Sequence, residues 1–135
     1  MGTSRGAAAR RLAVRVSSRV WREEVERFEL RSPPRTAAER ERRGLEDHGV
    51  SFAGLMRCAV EGSDGTRLAG LVKVYVPISQ GPPSERPFGF VLAPARSEQE
   101  LFLAVVAFGE RHPRPGVRSV YERAHRRLHG RYPDQ

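Results

Sequence analysis

Cysteine and long apolar runs are both scarce in this sequence. Cys58 is the only cysteine, so the chain cannot form an intrachain disulfide or build a zinc site from several thiolates, and a reducing compartment is expected. The longest apolar run covers eight residues, 101–108, whereas a membrane-spanning helix needs about 18. We therefore expect a chain that folds around an apolar core, with Cys58 inside it and no membrane segment, metal or cofactor.

Asparagine is absent, and lysine and isoleucine each occur once, as Lys73 and Ile78, beside 23 arginines. This pattern is typical of a GC-rich genome, so the preference for arginine over lysine carries little functional meaning. Codon bias does not explain why 24 basic residues outnumber 16 acidic ones, giving a net charge of +8. Because clustered cations neutralise phosphates and release counterions, this excess favours a nucleic-acid partner, with RNA ahead of DNA.

A chain of 135 residues is long enough for one domain with its own core. We expect a flexible basic segment over residues 1–10, a single α+β domain over 11–132 and a tail over 133–135. Residues 1–22 allow two interpretations. As a helix they gather apolar residues on one side and arginines on another, which resembles a mitochondrial transit peptide and predicts the matrix. Alternatively, Leu12, Val14 and Val16 alternate with Ala13 and Arg15 as a short strand, and the expected location is then the cytoplasm of a bacterial cell.

The spacing of apolar residues predicts a helix over 21–28 that ends before Pro33 and Pro34. Thr36 and Glu39 form a capping box that opens a second helix, whose exposed faces are almost wholly charged. The N-terminal part of the domain is therefore predicted to be helical.

Two β-rich runs around a glycine-containing turn predict a hairpin over 55–78, and residues 88–93 predict a third strand. Ser97 and Glu100 then form a capping box for the apolar run that follows, which predicts a central buried helix. The predicted fold is α+β, with an antiparallel sheet of about three strands. N-terminal helices and two C-terminal helices complete it, the latter packed on one sheet face.

Residues 86–93, RPFGFVLA, resemble the strand of RNA-recognition domains whose aromatic side chains stack on bases. Such domains place a helix and a further strand between their two motif strands, whereas only 11 residues separate Val76 from Phe88 here. The spacing therefore excludes that fold. Phe88, Phe90 and Leu92 alternate onto one face, and we expect this face to lie in the core against the predicted buried helix.

The last predicted helix begins with a capping box at Ser119 and Glu122 and ends at Gly130. One side of it is apolar, and its arginines project from the opposite side. Arginine presents a planar fork that suits phosphate, so this face predicts nucleic-acid binding, with an ordinary solvated face as the alternative. The candidate nucleic-acid-binding residues are Arg114, Arg118, Arg123, Arg126, Arg127 and Arg131.

Catalysis is the second functional hypothesis, as a metal-independent endoribonuclease of the toxin kind. Such enzymes use proton-transferring side chains and arginines that hold the phosphate. His125 and His129 have the i, i+4 spacing of metal ligands, but they lack the acid of the metalloprotease motif and Arg126 would repel a dication, so no metal site is expected. The candidate catalytic residues are His112, Tyr121, His125 and His129, with Arg114, Arg126 and Tyr132 in support. A third hypothesis is a non-enzymatic module that binds an acidic protein partner.

Overall fold

The computed structural model describes residues 10–59, 61, 67–78 and 86–130. Within these residues, three α-helices pack around one six-stranded mixed sheet. The strands are β1 (Arg11–Arg15), β2 (Val50–Ser51), β3 (Met56–Arg57), β4 (Val72–Val76), β5 (Phe88–Arg96) and β6 (Leu101–Glu110). The helices are α1 (Ser18–Glu24), α2 (Pro33–His48) and α3 (Val120–Leu128). The α+β class is confirmed, and six strands stand where about three were expected.

The strand order is β2-β1-β6-β5-β4-β3. Only the β1–β6 pair is parallel among the described strands. In β1, Leu12 and Val14 are buried while Arg11 and Arg15 are exposed. Side chains separated by two residues reach one face only in an extended strand. The strand interpretation is therefore confirmed for residues 11–15, and a helix that runs through these residues is wrong.

The predicted helix over 101–108 is also wrong, because this run is the central strand β6. The hydroxyl of Ser97 accepts hydrogen bonds from the N–H groups of Gln99 and Glu100, which is the local bonding of a helix cap, but here it closes the β5–β6 turn. A strand covered on both faces has no polar alternation, so its period resembles that of a buried helix. Val105 and Val106, which are β-branched, favour the strand.

The two faces of the sheet carry separate apolar clusters. Phe88, Phe90 and Leu92 are 8%, 1% and 0% exposed, as expected. They pack with Phe108 and with side chains of α1 and α2, not with a C-terminal helix. The other face packs against α3, the single C-terminal helix of the described residues. The β5–β6 register shifts between Val91 and Leu92. As a result, Val105 and Phe108 of β6 both face the first cluster, while Val106 and Ala107 face the second.

The remaining elements differ from the expectations mainly in their bounds. The first helix ends at Glu24, and α2 begins at Pro33 rather than at the Thr36 capping box, since proline suits the first turn of a helix. α2 is not solvated all round, because it buries Ala37, Ala38 and Leu45. The predicted hairpin is confirmed by the antiparallel pairing of β3 with β4. Its turn, like the expected segments at both chain ends, lies largely outside the described residues.

Candidate functional site

A pocket of about 120 Å³ opens where β6 ends and α3 begins. We call it the cationic pocket, because a lysine, an arginine, a histidine and a tyrosine converge on it from three elements. Strand β4 supplies the lysine, the segment after β6 supplies the arginine and the histidine, and α3 supplies the tyrosine. Its lining residues are Lys73, Arg111, His112 and Tyr121, together with Ala59, Glu61 and Leu68.

Arg111 is held in place along its whole length. Its backbone N–H donates to the Pro87 carbonyl at 2.6 Å. Its Nη1 donates to the Arg86 carbonyl at 2.8 Å, and its Nε donates to the Tyr121 hydroxyl at 3.2 Å. The guanidinium also lies 3.9 Å from the centroid of the Tyr75 ring. Only 8% of this residue is exposed, so its guanidinium stands at a fixed orientation in the pocket wall.

Gly89 makes room for this side chain. It lies opposite Tyr75 in the β4–β5 ladder. A Cβ atom at this position would lie 3.2 Å from the Val74 carbonyl oxygen and 3.5 Å from Cγ of Arg111. The glycine between the two phenylalanines of β5 therefore leaves the space in which the Arg111 side chain packs. The RNA-recognition resemblance does not suggest this role.

Lys73 brings a second positive charge to the pocket. Its Nζ lies 5.5 Å from the Tyr75 ring centroid and 6.0 Å from that of Tyr121. No carboxylate of the described residues forms an ion pair with it. A half-buried ammonium that forms no ion pair within the described part of the chain favours the binding of an anion.

Tyr121 and His112 add groups that can exchange protons. The Ser119 hydroxyl accepts a hydrogen bond from the Glu122 N–H, so the predicted cap is confirmed and places Tyr121 in the first turn of α3. The Tyr121 and His112 ring centroids are 6.4 Å apart. Because the Tyr121 oxygen accepts from Arg111, its own hydrogen can be donated to a ligand.

Two of the predicted binding arginines face another way. Arg123 Nε and Nη2 each donate to the Glu24 carboxylate at 2.9 Å, and Arg127 donates to Glu24 at 2.8 Å and to Glu23 at 2.7 Å. We call these four residues the ion-pair cluster. Glu24 is fully buried and Arg123 is 4% exposed, so Arg123 does not project from a solvent face of α3. Its positive charge, and that of Arg127, are neutralised inside the protein.

The ion-pair cluster also closes an edge of the sheet. The β1–β6 pairing ends at Ala104, and further along β6 the Phe108 N–H donates to Glu24 at 3.0 Å while the Phe108 carbonyl accepts from Arg27 at 2.8 Å. A Cβ on Gly109 would lie 2.8 Å from Nη2 of Arg27, so a side chain there would displace that guanidinium. Glu24 in α1 and Arg27 just after it thus form the hydrogen bonds with the Phe108 backbone that a longer β1 strand would otherwise supply.

Electrostatics within the cluster follow from these contacts. Burial acts to raise the pKa of Glu23, but hydrogen bonds from Arg127 and Arg19 outweigh it, and the pKa lies below its ordinary value. Burial likewise acts to lower the pKa of Arg127, and its bonds to Glu24 and Glu23 raise it instead. Glu23 and Arg127 are therefore both charged near neutral pH.

Two of the other candidate residues, Arg114 and Arg118, border neighbouring pockets. Arg114 borders a neighbouring pocket of about 260 Å³ that Arg111 and His112 also line. Arg118 pairs with Glu122 at 3.7 Å and borders an open cleft of about 570 Å³. Basic side chains therefore continue from the cationic pocket along the loop before α3.

Three candidates on α3 do not line the cationic pocket. The ring of His125, in the last turn of the helix, lies 4.1 Å from that of His129, which caps its end, and Nδ1 of His129 lies 2.8 Å from the His125 carbonyl oxygen. Arg126 is half-buried on the same turns. Arg131 and Tyr132 fall outside the described residues. Within the described part of the chain, no group of three or more His, Cys, Asp or Glu residues is arranged to hold a metal ion.

Sequence reasoning missed Lys73, Arg111 and Tyr75 as site residues. One signal could have found the first: it is the only lysine in a chain of arginines, on a strand with an aromatic residue two positions away. Cys58 is buried as expected, and burial raises the pKa of its thiol to about 11 despite the nearby Lys73 charge. This thiol is protonated near neutral pH and is a packing residue.

Comparisons of the chain with protein families, with curated proteins and with solved structures found no match. Among the helices of the described residues, none combines the length and the apolar character needed to cross a membrane.

Proposed function

We propose that the chain binds single-stranded RNA at the cationic pocket and cleaves its backbone without a metal ion. The observation that carries this proposal is the convergence of Lys73, Arg111, His112 and Tyr121 on one pocket. In metal-free phosphodiester cleavage, cations can stabilise charge on the phosphate and two proton-exchanging groups can act as general base and general acid.

In this proposal Arg111 and Lys73 bind the non-bridging oxygens of the scissile phosphate. Their charges stabilise the additional negative charge that develops on those oxygens in the transition state. Arg111 suits this role because its orientation is fixed before the substrate arrives, which lowers the cost of reorganisation.

His112 and Tyr121 handle the protons. His112 accepts the proton of the ribose 2′-hydroxyl, whose oxygen attacks phosphorus, and the bond between phosphorus and the 5′-oxygen breaks. Tyr121 donates its proton to that departing oxygen, and solvent restores both side chains. The products are a 2′,3′-cyclic phosphate and a 5′-hydroxyl, so no water, oxidant or cofactor is consumed. The need for a 2′-hydroxyl selects RNA over DNA.

The path of the RNA is proposed to follow the loop before α3, where Arg114 and Arg118 extend the basic surface. The expected binding set also included arginines of α3 itself. Arg123 and Arg127 are left out of the proposed path because they are largely buried and paired with Glu24 and Glu23, whereas Arg118 and its partner Glu122 are partly exposed. Phosphate contacts of this kind give affinity that is independent of sequence and falls with salt.

The experiment is incubation of the purified protein with single-stranded RNA in the presence of a chelator. Wild-type protein should produce fragments, and Tyr121→Phe and His112→Ala should each slow cleavage by about 100-fold or more. His48→Ala is the matched control, because His48 is exposed at the end of α2, away from the pocket. His125→Ala should also cleave normally.

Three results separate the alternatives. Salt-dependent binding by wild-type protein without any fragments would replace cleavage by binding alone. Loss of cleavage in His125→Ala with normal cleavage in His112→Ala would move the active site along α3. No affinity for RNA at any salt concentration would contradict the proposal as a whole.

A further inference from the structure

We propose that Tyr75 is a positioning residue: its ring holds the Arg111 guanidinium in the orientation that binds phosphate. This inference rests on the proposed function of the cationic pocket. Tyr75 was not among the candidate site residues named from the sequence, and it does not line the pocket itself. It acts through its contact with Arg111.

The contact has the geometry of a cation–π interaction. The Arg111 guanidinium carbon lies 3.9 Å from the Tyr75 ring centroid, well inside the range of about 6 Å over which a ring face attracts a cation. Since most of Arg111 is buried, water screens this attraction less than at an exposed site.

The strand register places the two side chains together. Tyr75 lies opposite Gly89 in the β4–β5 ladder, and the space above that glycine is filled by Cγ and Cδ of Arg111. The aliphatic part of Arg111 thus crosses β5 at its one position without a side chain and delivers the guanidinium onto the neighbouring ring. Hydrogen bonds to the Arg86 carbonyl and the Tyr121 hydroxyl fix two of its nitrogens.

Each of these contacts restricts a different motion of the guanidinium. The two hydrogen bonds fix directions within its plane, whereas the ring face limits tilting of the plane. Without the ring, Arg111 would still carry its charge, but it would sample orientations that do not match the phosphate and the Tyr121 hydroxyl. Because pre-organised donors lose their advantage when they must reorient, cleavage should slow while the fold remains intact.

The test compares two substitutions of Tyr75 that alter its ring in different ways. Tyr75→Phe keeps the ring face, and it should cleave RNA within about twofold of wild type. Tyr75→Leu removes the ring, and it should lower the single-turnover rate at saturating protein by about tenfold. Replacement of Tyr75 by 4-nitrophenylalanine keeps the shape but withdraws electrons from the ring face. It should behave like Tyr75→Leu, whereas a purely structural role for Tyr75 would leave it like wild type.

Nuclear magnetic resonance of the Arg111 δ-protons provides a readout that does not depend on activity. In wild type and in Tyr75→Phe these protons should be shifted upfield by the ring current, and in Tyr75→Leu the shift should vanish. Affinity for an RNA in which every 2′-hydroxyl is methylated, which cannot be cleaved, should fall in Tyr75→Leu and hold in Tyr75→Phe.

These readouts distinguish failure of the inference from failure of the proposed function. If wild-type protein binds RNA but does not cleave it, the cleavage proposal fails, and the proton shift and the affinity for methylated RNA still decide the role of Tyr75. An unshifted Arg111 in wild type would overturn the inference, as would wild-type cleavage and affinity in Tyr75→Leu. Should Tyr75→Leu fail to fold, the nitrophenylalanine protein decides the same question, since it preserves the packing.

Discussion

Removal of the Glu24 carboxylate should destabilise the protein more than any other single change to a charged residue described above. Glu24 is fully buried and accepts hydrogen bonds from Arg123, Arg127 and the Phe108 N–H. Glu24→Ala leaves two guanidiniums whose side chains are 5% and 13% exposed without this counter-ion. Breaking a buried ion pair from one side costs about 3–5 kcal/mol, because the remaining charge stays desolvated.

An orphaned buried N–H at Phe108 adds to this cost, but the bonds share one carboxylate and their energies are not additive. We expect a total near the upper part of the range of about 3–5 kcal/mol, which is a large share of the roughly 5–15 kcal/mol that stabilises a typical domain. Urea unfolding of both proteins gives the difference at an unchanged slope.

Two controls make the Glu24 prediction specific. Glu46→Ala breaks the surface ion pair of Glu46, 40% exposed, with Arg42, 32% exposed. This substitution should lower the free energy of unfolding by no more than about 0.5 kcal/mol. Glu24→Leu combined with Arg123→Met replaces one pair by apolar groups and should recover part of the loss. A loss below about 1 kcal/mol in Glu24→Ala would refute the reasoning, because that is the range of exposed pairs.

Three further predictions concern the core, the loss of stability at low pH and the Cys58 thiol. Phe90→Ala should cost about 3 kcal/mol in thermal or urea unfolding because it opens a core cavity, and a stable variant that has lost RNA affinity would show an exposed stacking platform instead. Since the pKa of Glu23 is lowered by Arg127 and Arg19, its contribution is complete above its unfolded-state pKa and is lost as the pH falls through its folded-state pKa. Glu23→Gln should therefore melt below wild type near neutral pH, and the difference should vanish in acid. The raised pKa of Cys58 predicts slow reaction with a thiol reagent near neutral pH in the folded protein and rapid reaction after unfolding in urea.

Local patterns in the sequence predict local features of the structure. The Ser119 hydroxyl caps α3 as its spacing with Glu122 indicates. Phe88, Phe90 and Leu92 are buried together because strand periodicity alone places them on one face. These features depend on residues a few positions apart, so composition and period suffice to identify them.

Features that depend on distant residues were not predictable in the same way. The run 101–108 is apolar on both sides because helices cover both faces of β6, and period alone cannot distinguish such a strand from a buried helix. Arg123 has the helical position of a solvent-facing residue, but Glu24, 99 residues earlier, pairs with it. Nothing in the local sequence around either residue indicates that α1 passes beside α3.

The cationic pocket also depends on residues that are distant in the sequence. Lys73, Arg111 and Tyr121 meet because β4, β5 and β6 pair in that order and α3 returns over them. Sequence reasoning gave His112 and Tyr121 as candidates from their chemistry, and it could not separate them from His125 and His129, since side-chain type carries no distance. The structure places His112 and Tyr121 on the cationic pocket, whereas His125 and His129 do not line it.

The proposed reaction at the cationic pocket is cleavage of RNA by attack of the RNA's own 2′-hydroxyl on the neighbouring phosphorus. The most direct measurement is the mass of the fragment ends formed from a defined single-stranded RNA by wild-type protein in excess chelator. Wild-type protein should give 2′,3′-cyclic phosphate ends beside 5′-hydroxyl ends, and both should be lost in Tyr121→Phe. Intact RNA after long incubation, or fragments that form equally with Tyr121→Phe, would contradict it.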